Sequence, residues 1–386
     1  MVRRILCISL SPIYRDARVL RQLGLLREFG EVTTIGYGEK PEGSTHHIQV
    51  PDGLSSLPQT LTGVMKLALR AHRAAECSAP AAKWILSEGM QGNQGNQGPW
   101  DLVVANDARV LDLATRLAGD APIWADLHEW APEEQAHITS WRLLVGPFMA
   151  HLCRRYLSGA TLVTTVSQGI ADLYQEVFGA PAMMMANSGV YREIEPSVVQ
   201  PDRVSCVHSG AAVNDRGIGA MIEVIKSLPD RFTLDLYLVP GGDGGAHLRE
   251  LYALAKDCER IRFREPVKAT ELPDVLSAYD LGIHWIPADL STNTRLALPN
   301  KFFDYVQARI GIAIGPSEEM VRELRKYGLG VVAESFAADE LRASLLQLSA
   351  EQLNSFKQHA GEAARALSFE VQSAPVRERL GQLLNA

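Results

Sequence analysis

The sequence predicts an α/β protein made of two doubly wound domains. Short, continuously apolar segments alternate with longer segments of helical periodicity, which is typical of a parallel sheet covered by helices on both faces. The alternation restarts in the second half of the chain, and 386 residues are enough for two such domains. Hydrophobic residues make up 46% of the sequence, so the chain can bury a sizeable core.

The first series of strands begins near the N-terminus, and helical periodicity over 16–29 follows the first of them. The apolar runs that we interpret as strands of the first domain are Arg4–Leu10, Glu31–Tyr37, Leu102–Ala105, Pro122–Asp126 and Leu162–Val166. Those of the second domain are Val204–His208, Leu234–Val239, Ile261–Phe263, Leu281–Trp285 and Ile312–Ile314. Glutamates and prolines cluster over 190–202, which predicts the break between the domains there.

Charge and cysteine usage narrow the function class. The formal charge of −7 argues against a general nucleic-acid-binding protein, because such a protein needs a basic face. The five cysteines (Cys7, Cys77, Cys153, Cys206 and Cys258) are scattered and form no C-x-x-C pair, which predicts a reducing compartment and no structural zinc. No signal peptide or membrane span is evident. We therefore expect a cytoplasmic protein, either free or peripheral at the inner face of the membrane.

Three segments stand apart from the strand–helix alternation. Residues 61–86 combine Lys and Arg with apolar residues and predict a pair of basic amphipathic helices, either a solvated surface or a contact with an anionic membrane or acidic acceptor. Residues 138–156 predict a helix interrupted at Gly146–Pro147, either packed in the core or forming an apolar acceptor groove or membrane-facing surface. The Gln/Gly/Asn-rich tract over 89–98 predicts a mobile loop.

Several common catalytic motifs are missing from the sequence. The turn after the first strand has no G-x-G-x-x-G, and no P-loop or G-x-S-x-G nucleophile elbow occurs. His and Cys residues do not cluster at metal-ligand spacing, so no bound metal and no tightly held cofactor is expected. Ligands of doubly wound sheets bind outside the carboxyl ends of the strands. Four segments occupy such positions, namely 126–129, 209–216, 265–267 and 293–304.

The sequence resembles the retaining GT-B glycosyltransferases of family 4 over nearly its whole length. The most specific match is Leu298-Pro-Asn-Lys-Phe-Phe-Asp-Tyr305, which is similar to that family's Leu-Pro-Asn-Lys-x-Phe-Glu-Tyr signature. Further matches are Asp16-Ala-Arg-Val, Asn106-Asp107, Asp126-x-His-Glu, the strand that begins at Gly159, Asn187 and Ser368-Phe-Glu.

The resemblance implies two Rossmann-like domains that face a central cleft, with a C-terminal helix that crosses back to the first domain. We place these regions at 1–192, 193–367 and 368–386. The implied activity is transfer of a sugar from a nucleotide diphosphate-sugar to a hydroxyl acceptor, with retention and without a metal. The acceptor can be a glycan, a lipid-linked saccharide or a natural product, and the oligomeric state is open.

The resemblance also implies which residues of the second domain bind the donor. Arg216 and Lys301 would neutralise the diphosphate beside Gly210, and Asp304 would bind the ribose hydroxyls. Backbone groups of Glu265 and Val267 would contact the base. The loop that faces the donor sugar and phosphate would comprise Asn293, Leu298, Pro299 and Asn300.

In the first domain the resemblance implies a catalytic group of His128, Asp107 and Glu129. His128 would hydrogen-bond the donor sugar and stabilise positive charge near the anomeric carbon, while the two carboxylates would orient the acceptor hydroxyl. Asp16, Arg18 and Asp126 would lie on the acceptor side.

Two departures from the family pattern leave alternatives open. The first Glu of the family's Glu-x7-Glu motif is Leu296 here, and Ile218–Ala220 offers no second diphosphate-binding lysine. A nucleotide-sugar 2-epimerase shares this bilobed fold and is the enzymatic alternative. A non-catalytic subunit with a glycosyltransferase fold is the alternative from another class.

Overall fold

The computed structural model describes residues 2–90 and 99–385, and they form two compact units. Unit 1 comprises Met1–Met185 together with Ser373–Ala386, and unit 2 comprises Ala186–Gln372. The chain therefore leaves unit 1 once and returns to it at its end. Most of the Gln/Gly/Asn-rich tract, residues 91–98, lies outside the described residues.

Unit 1 is built on a seven-stranded parallel sheet in the order β3-β2-β1-β4-β5-β6-β7. The central strands are buried along their length, which explains their continuous apolar sequences. The strands are β1 (Arg4–Pro12), β2 (Glu31–Tyr37), β3 (His46–Val50), β4 (Leu102–Asn106), β5 (Ile123–Leu127), β6 (Leu162–Thr165) and β7 (Met183–Met184).

The helices of unit 1 cover this sheet. The helices that precede the return of the chain are α1 (Ala17–Leu26), α2 (Leu61–Ala68), α3 (His72–Ala75), α4 (Pro80–Trp84), α5 (Leu111–Ala118), α6 (Gly146–Tyr156) and α7 (Gln168–Phe178). The last helix of the chain also belongs to unit 1: it buries Val376 and Leu380, and Arg377 forms an ion pair with Glu28. This confirms the predicted return of the C-terminal helix to the first domain.

Unit 2 is built on a six-stranded parallel sheet in the order β10-β9-β8-β11-β12-β13. Its strands are β8 (Val204–Ala212), β9 (Phe232–Pro240), β10 (Ile261–Arg264), β11 (Leu281–His284), β12 (Gly311–Ile314) and β13 (Gly330–Val332). Its helices are α8 (Ile218–Ser227), α9 (Ala246–Ala255), α10 (Leu272–Leu276), α11 (Thr292–Leu296), α12 (Asn300–Gln307), α13 (Glu318–Tyr327), α14 (Ala338–Leu346), α15 (Ala350–Ala363) and α16 (Phe369–Gln372), and α17 (Ala374–Asn385) is the returning helix of unit 1.

The structure confirms the α/β class and the two parallel sheets, and it corrects four local expectations. Strands β3, β7 and β13 were not predicted. Strand β8 continues four residues beyond His208, so Gly210 lies within a strand and not in a loop. The helix pair expected over 61–86 is a series of short helices. Gly146 and Pro147 begin α6 directly after a π-helical turn, Trp141–Val145, so they do not interrupt the helical run, since proline is tolerated in the first turn.

No helix within residues 2–90 and 99–385 is long and apolar enough to cross a membrane.

Candidate functional site

The candidate site residues of unit 1 lie at the carboxyl edge of its sheet. Asp107 follows β4 and His128 follows β5, and the neighbouring strands bring the two together: the backbone amide of His128 donates to Asp107 Oδ1 at 3.2 Å. Asp107 has a φ of 72° and a ψ of 157°, a backbone conformation that costs a non-glycine residue energy. In this conformation its amide donates to the Asp126 carbonyl at 2.8 Å, so the strand end is fixed.

A buried ion pair lies directly beneath this strand edge. Asp126 is fully buried and accepts hydrogen bonds from Arg18 Nε at 2.9 Å and Arg18 Nη2 at 2.6 Å. Gln22 and Thr164 donate to the same carboxylate, and Arg18 also donates to the Met185 carbonyl. Burial disfavours the charged carboxylate, but the Arg18 charge and the contact with His128 hold the pKa of Asp126 well below its usual range.

The His128 ring contacts the Asp126 carboxylate of this ion pair. Its Nε2 lies 3.1 Å from Asn106 Oδ1 and 3.4 Å from Asp126 Oδ2, and its Nδ1 lies 3.7 Å from Asp107 Oδ2. The Asn106 amide group donates to Gln22 Oε1, so Asn106 Oδ1 is the acceptor and His128 Nε2 carries a proton. Burial lowers the pKa of His128, but the carboxylates of Asp107 and Asp126 outweigh it and raise the pKa to about 9. His128 is therefore an imidazolium at pH 7.

This charge makes unit 1 sensitive to alkaline pH. Because the pKa of His128 rises from 6.5 to about 9 on folding, its stabilisation is complete below pH 6.5 and is lost as the pH rises through 9. The shift corresponds to about 3 kcal/mol. We expect His128→Gln to lower the unfolding midpoint most at pH 6.5, with the difference from the unsubstituted protein narrowing by pH 9.5. Thermal unfolding across this range measures it, and a constant difference would contradict the assigned charge.

Glu129 lies beside a second ion pair that sequence reasoning missed. Arg109 bonds Glu134, and both side chains are mostly buried. Glu129 is exposed to solvent, but nearby protein atoms and the carboxylates of Glu134 and Asp107 raise the pKa of its carboxyl. The Glu129 carbonyl accepts a hydrogen bond from Tyr174 Oη at 2.8 Å, which fixes the turn. The carboxyl of Glu129 is therefore protonated at a higher pH than that of an ordinary glutamate.

Three predicted acceptor-side residues are tied into the fold of unit 1. Asp16 is the N-cap of α1, since its Oδ1 accepts from the Val19 amide at 3.2 Å and its Oδ2 accepts from Ser11 at 2.9 Å. Arg18 and Asp126 are buried in the ion pair described above. These contacts give Arg18 and Asp126 the task of orienting His128.

In unit 2, Arg216 is carried by a tight turn between β8 and α8. Asp215 and Gly217 on either side of it both have left-handed φ angles, 68° and 65°. Gly217 is required here, because a Cβ at this position would lie 2.0 Å from the Trp285 carbonyl oxygen. The turn places the Arg216 charge near three other basic side chains, His208, His284 and Lys301. Burial lowers the pKa of each, and the charge of Arg216 adds to that effect.

Lys301 lies over the backbone of Gly210. It belongs to the first turn of α12, and a Cβ on Gly210 would lie 2.6 Å from its Nζ. Burial and the charge of Arg216 lower the pKa of Lys301 to about 8, while Asp304 one turn later opposes the shift. Lys301 thus lies against Gly210 and near the charge of Arg216, with Asp304 one turn further along α12. We call Lys301, Gly210 and Arg216 the cationic cluster.

Two buried histidines border the cationic cluster and were not predicted as site residues. His208 Nδ1 lies 2.8 Å from the Ile283 carbonyl, so it donates, and Nε2 is left as a buried acceptor without a hydrogen-bond partner in the described residues. His284 Nδ1 is also buried without one. Burial and the nearby Lys301 lower the pKa of His208 to about 3 and that of His284 well below its usual value. Both are therefore neutral, and the positive charge belongs to Arg216 and Lys301.

The other predicted residues of unit 2 lie around the same edge of the sheet. Leu298 is buried and its carbonyl accepts from Asn187, which anchors the turn Leu298–Asn300 at the start of α12. Asn293 is buried in α11. Glu265 is exposed and Val267 half-buried in the loop after β10, which is separated from β8 by strand β9. Glu265 and Val267 therefore lie at the same carboxyl edge of the sheet as the cationic cluster, but two strands away from β8.

Some functional neighbours had no recognisable sequence signal. Gln22 and Thr164 reach the Asp126 carboxylate only because α1 and β6 pack beside β5 in the folded protein. Two other neighbours did have a signal: Arg109 follows β4 and His284 is the last residue of β11, so the strand-end rule could have included them. Within the described residues no group of three or more His, Cys, Asp or Glu side chains could hold a metal ion.

Comparisons with known proteins give matches of structure but not of sequence. No protein-family model and no curated protein matches the chain. Sucrose-phosphate synthase from Thermosynechococcus elongatus superposes with a TM-score of 0.70, at 14% identity, over 99% of both chains. HepE from Anabaena, in complex with UDP and glucose, gives 0.66 at 15% identity over 98% of this chain and 100% of that one.

A third structure extends the same result. The α,α-trehalose 6-phosphate synthase from Burkholderia multivorans gives a TM-score of 0.67 at 11% identity, over 100% of this chain and 98% of that one. Identities this low relate the folds alone. The two parallel sheets and these near-complete superpositions show that the chain has the GT-B fold of glycosyltransferases, with one Rossmann-like unit in each half.

Proposed function

We propose that the protein is a glycosyltransferase that moves a sugar from a nucleoside diphosphate-sugar to a hydroxyl acceptor, with retention and without a metal. The cationic cluster is the observation that carries this proposal. Arg216 and Lys301 lie near each other, with Lys301 against the backbone of Gly210. Because His208 and His284 are neutral, Arg216 and Lys301 alone carry the positive charge of this cluster. Such a pair suits the diphosphate group, on which negative charge builds as the glycosidic bond breaks.

The GT-B neighbours support the choice of donor. HepE is described in complex with UDP and glucose, and two other neighbours are synthases of sugar phosphates. From these neighbours and from the cationic cluster, we infer that the donor of this protein is also a nucleoside diphosphate-sugar. In this proposal Asp304 binds the ribose hydroxyls, and the turn Leu298–Asn300 with Asn293 presents polar groups to the sugar and phosphate. Backbone groups of Glu265 and Val267 contact the base.

Unit 1 supplies groups for hydroxyl recognition. His128 is positively charged, so it suits hydrogen-bond donation and is unsuited to stabilising a neighbouring positive charge. We therefore assign it donation to a sugar hydroxyl through Nδ1, since the 3.7 Å distance to Asp107 is too long for a direct hydrogen bond. Asp107 and Glu129 orient the acceptor hydroxyl. Its proton passes to the departing phosphate oxygen, as the retaining reaction without a protein nucleophile requires.

Binding of UDP, GDP, dTDP and ADP tests the donor site. Arg216→Ala is expected to weaken binding of the preferred nucleotide by about 1.5–3 kcal/mol, because a charge-assisted contact is lost. Isothermal titration calorimetry measures the change, and Arg203→Ala, an exposed arginine of the same unit, is the control. Failure of all four nucleotides to bind, or equal affinities of the Arg216→Ala and Arg203→Ala proteins, would overturn the assignment.

The reaction is tested separately from binding. Proton NMR of the slow hydrolysis of the bound donor shows which anomer is released first, and retention predicts the anomer of the donor. Release of the opposite anomer would overturn retention and leave donor binding intact. Nucleotide binding without any turnover would favour the non-catalytic alternative.

A further inference from the structure

Helix α2 directs an apolar stripe toward solvent. Leu61 is 87% exposed, Met65 55% and Leu69 74%, and Val64 is partly exposed beside them. These positions follow the i, i+3, i+4 and i+8 spacing of a single helix face. The residues that α2 buries are Gly63 and Leu67, on the opposite side. The helix is therefore amphipathic with its more apolar face outward, and nothing else in the described part of unit 1 covers that face.

The second apolar segment singled out from the sequence packs beside α2. The π-helical turn Trp141–Val145 lies against α2, and it exposes Leu143 at 54%, while Ile138 one turn earlier is 40% exposed. The two segments are joined further along, where the His72 ring lies 5.4 Å from that of His151. Two stretches about 75 residues apart in sequence thus form one surface. We call it the α2 face, comprising Leu61, Val64, Met65, Leu69, Ile138 and Leu143.

The two stretches of chain that carry the α2 face are rich in positive charge. Neither 53–75 nor 135–171 contains an aspartate or glutamate, although the whole chain is acidic. The cations of these two stretches are Lys66, Arg70, Arg73, Arg142, Arg154 and Arg155. Glu76, which follows the first stretch directly, forms an ion pair with Arg155 at 3.2 Å, and its Oε1 also lies 2.7 Å from His151 Nε2. The local charge therefore opposes the net charge of the protein.

We propose that the α2 face docks on the surface of an anionic lipid bilayer. Aliphatic side chains of α2 and the adjoining turn enter the boundary between headgroups and acyl chains, and the surrounding Lys and Arg side chains contact the anionic headgroups. A second copy of this chain is a poor occupant, because a symmetric contact would bring two cationic surfaces together. The contact lies in the membrane surface and does not cross it, in keeping with the short length of α2.

Vesicle flotation of the full chain tests the proposal. We expect binding to vesicles of equal parts phosphatidylcholine and phosphatidylglycerol, little binding to pure phosphatidylcholine, and release by salt. Leu69→Asp should reduce the partition constant for vesicle binding by about tenfold. Val198→Asp is its matched control, since Val198 is 76% exposed but lies in unit 2, and it should bind as the unsubstituted protein does. Thermal unfolding of each variant confirms that it is folded.

The electrostatic part has its own variants. The Arg70→Glu, Arg73→Glu double variant should bind anionic vesicles at least about fivefold more weakly for each reversed cation. Arg203→Glu in unit 2 should bind as the unsubstituted protein does. Equal binding of Leu69→Asp and Val198→Asp, or equal binding to charged and uncharged vesicles, would overturn the proposal. A concentration-dependent dimer in sedimentation that Leu69→Asp abolishes would assign the face to self-association instead. No nucleotide is needed, so failure here is independent of the proposed donor site.

Discussion

Replacing Asp126 with alanine is expected to lower the free energy of unfolding of unit 1 by about 3–5 kcal/mol. The substitution leaves the Arg18 guanidinium buried, with the Met185 carbonyl as its remaining partner of those described above. It also removes the acceptor for Gln22 and Thr164, so two more buried groups lose a hydrogen bond. Differential scanning calorimetry should show the transition of unit 1 lowered by on the order of 10 °C.

A surface ion pair of the same unit provides the control. Arg377 bonds both carboxylate oxygens of Glu28 at 3.0 Å, but both side chains are more than one-third exposed. Arg377→Ala should therefore cost only about 0–1 kcal/mol, since exposed pairs are screened by solvent. If Asp126→Ala shifted the transition no further than Arg377→Ala, the Arg18–Asp126 pair would not be the support that we assign to His128.

Replacing Gly217 with alanine is expected to weaken nucleotide binding about as much as Arg216→Ala does and, in addition, to destabilise unit 2. Alanine in the left-handed region costs about 1–2 kcal/mol, and its Cβ would lie 2.0 Å from the Trp285 carbonyl oxygen, a backbone atom that cannot rotate away. The turn must therefore move, and Arg216 moves with it. Calorimetric titration with the preferred nucleoside diphosphate and the unfolding midpoint together measure this effect.

Gly219 is a matched control two residues further along. It lies in the first turn of α8, and a Cβ there would approach Leu254 at 3.7 Å, an ordinary contact. Gly219→Ala should raise stability by about 0.5–1 kcal/mol, because alanine favours the helix, and should leave binding unchanged. Normal nucleotide affinity in the Gly217→Ala protein would show that the turn does not position Arg216 for the ligand.

The strands that the sequence predicted and those that it did not differ in their place in the sheet. Central strands are covered on both faces, so they appear as continuous apolar runs such as Leu102–Ala105. The three strands that were missed, β3, β7 and β13, all lie at sheet edges. Strand β7 has two residues, β13 has three and β3 exposes alternate side chains, so none of them needs an apolar run.

The candidate site was predictable to the extent that it follows strand ends. That rule gave the segments that contain His128, Arg216 and Lys301, and the Leu-Pro-Asn-Lys resemblance singled out Lys301 within its segment. Asp107 came from the resemblance alone. The charge states were not predictable. Whether a histidine is an imidazolium, as His128 is, or neutral, as His208 is, depends on carboxylates and cations that come from distant parts of the chain.

The return of α17 to unit 1 has a consequence for the order of events during synthesis. Unit 2 is a single uninterrupted stretch of chain and is complete once residue 372 has left the ribosome. Unit 1 buries Val376 and Leu380, so it is complete only after unit 2 has been made. Unit 2 can therefore reach its native fold before unit 1, and loss of α17 would damage the unit whose first strands were translated earlier.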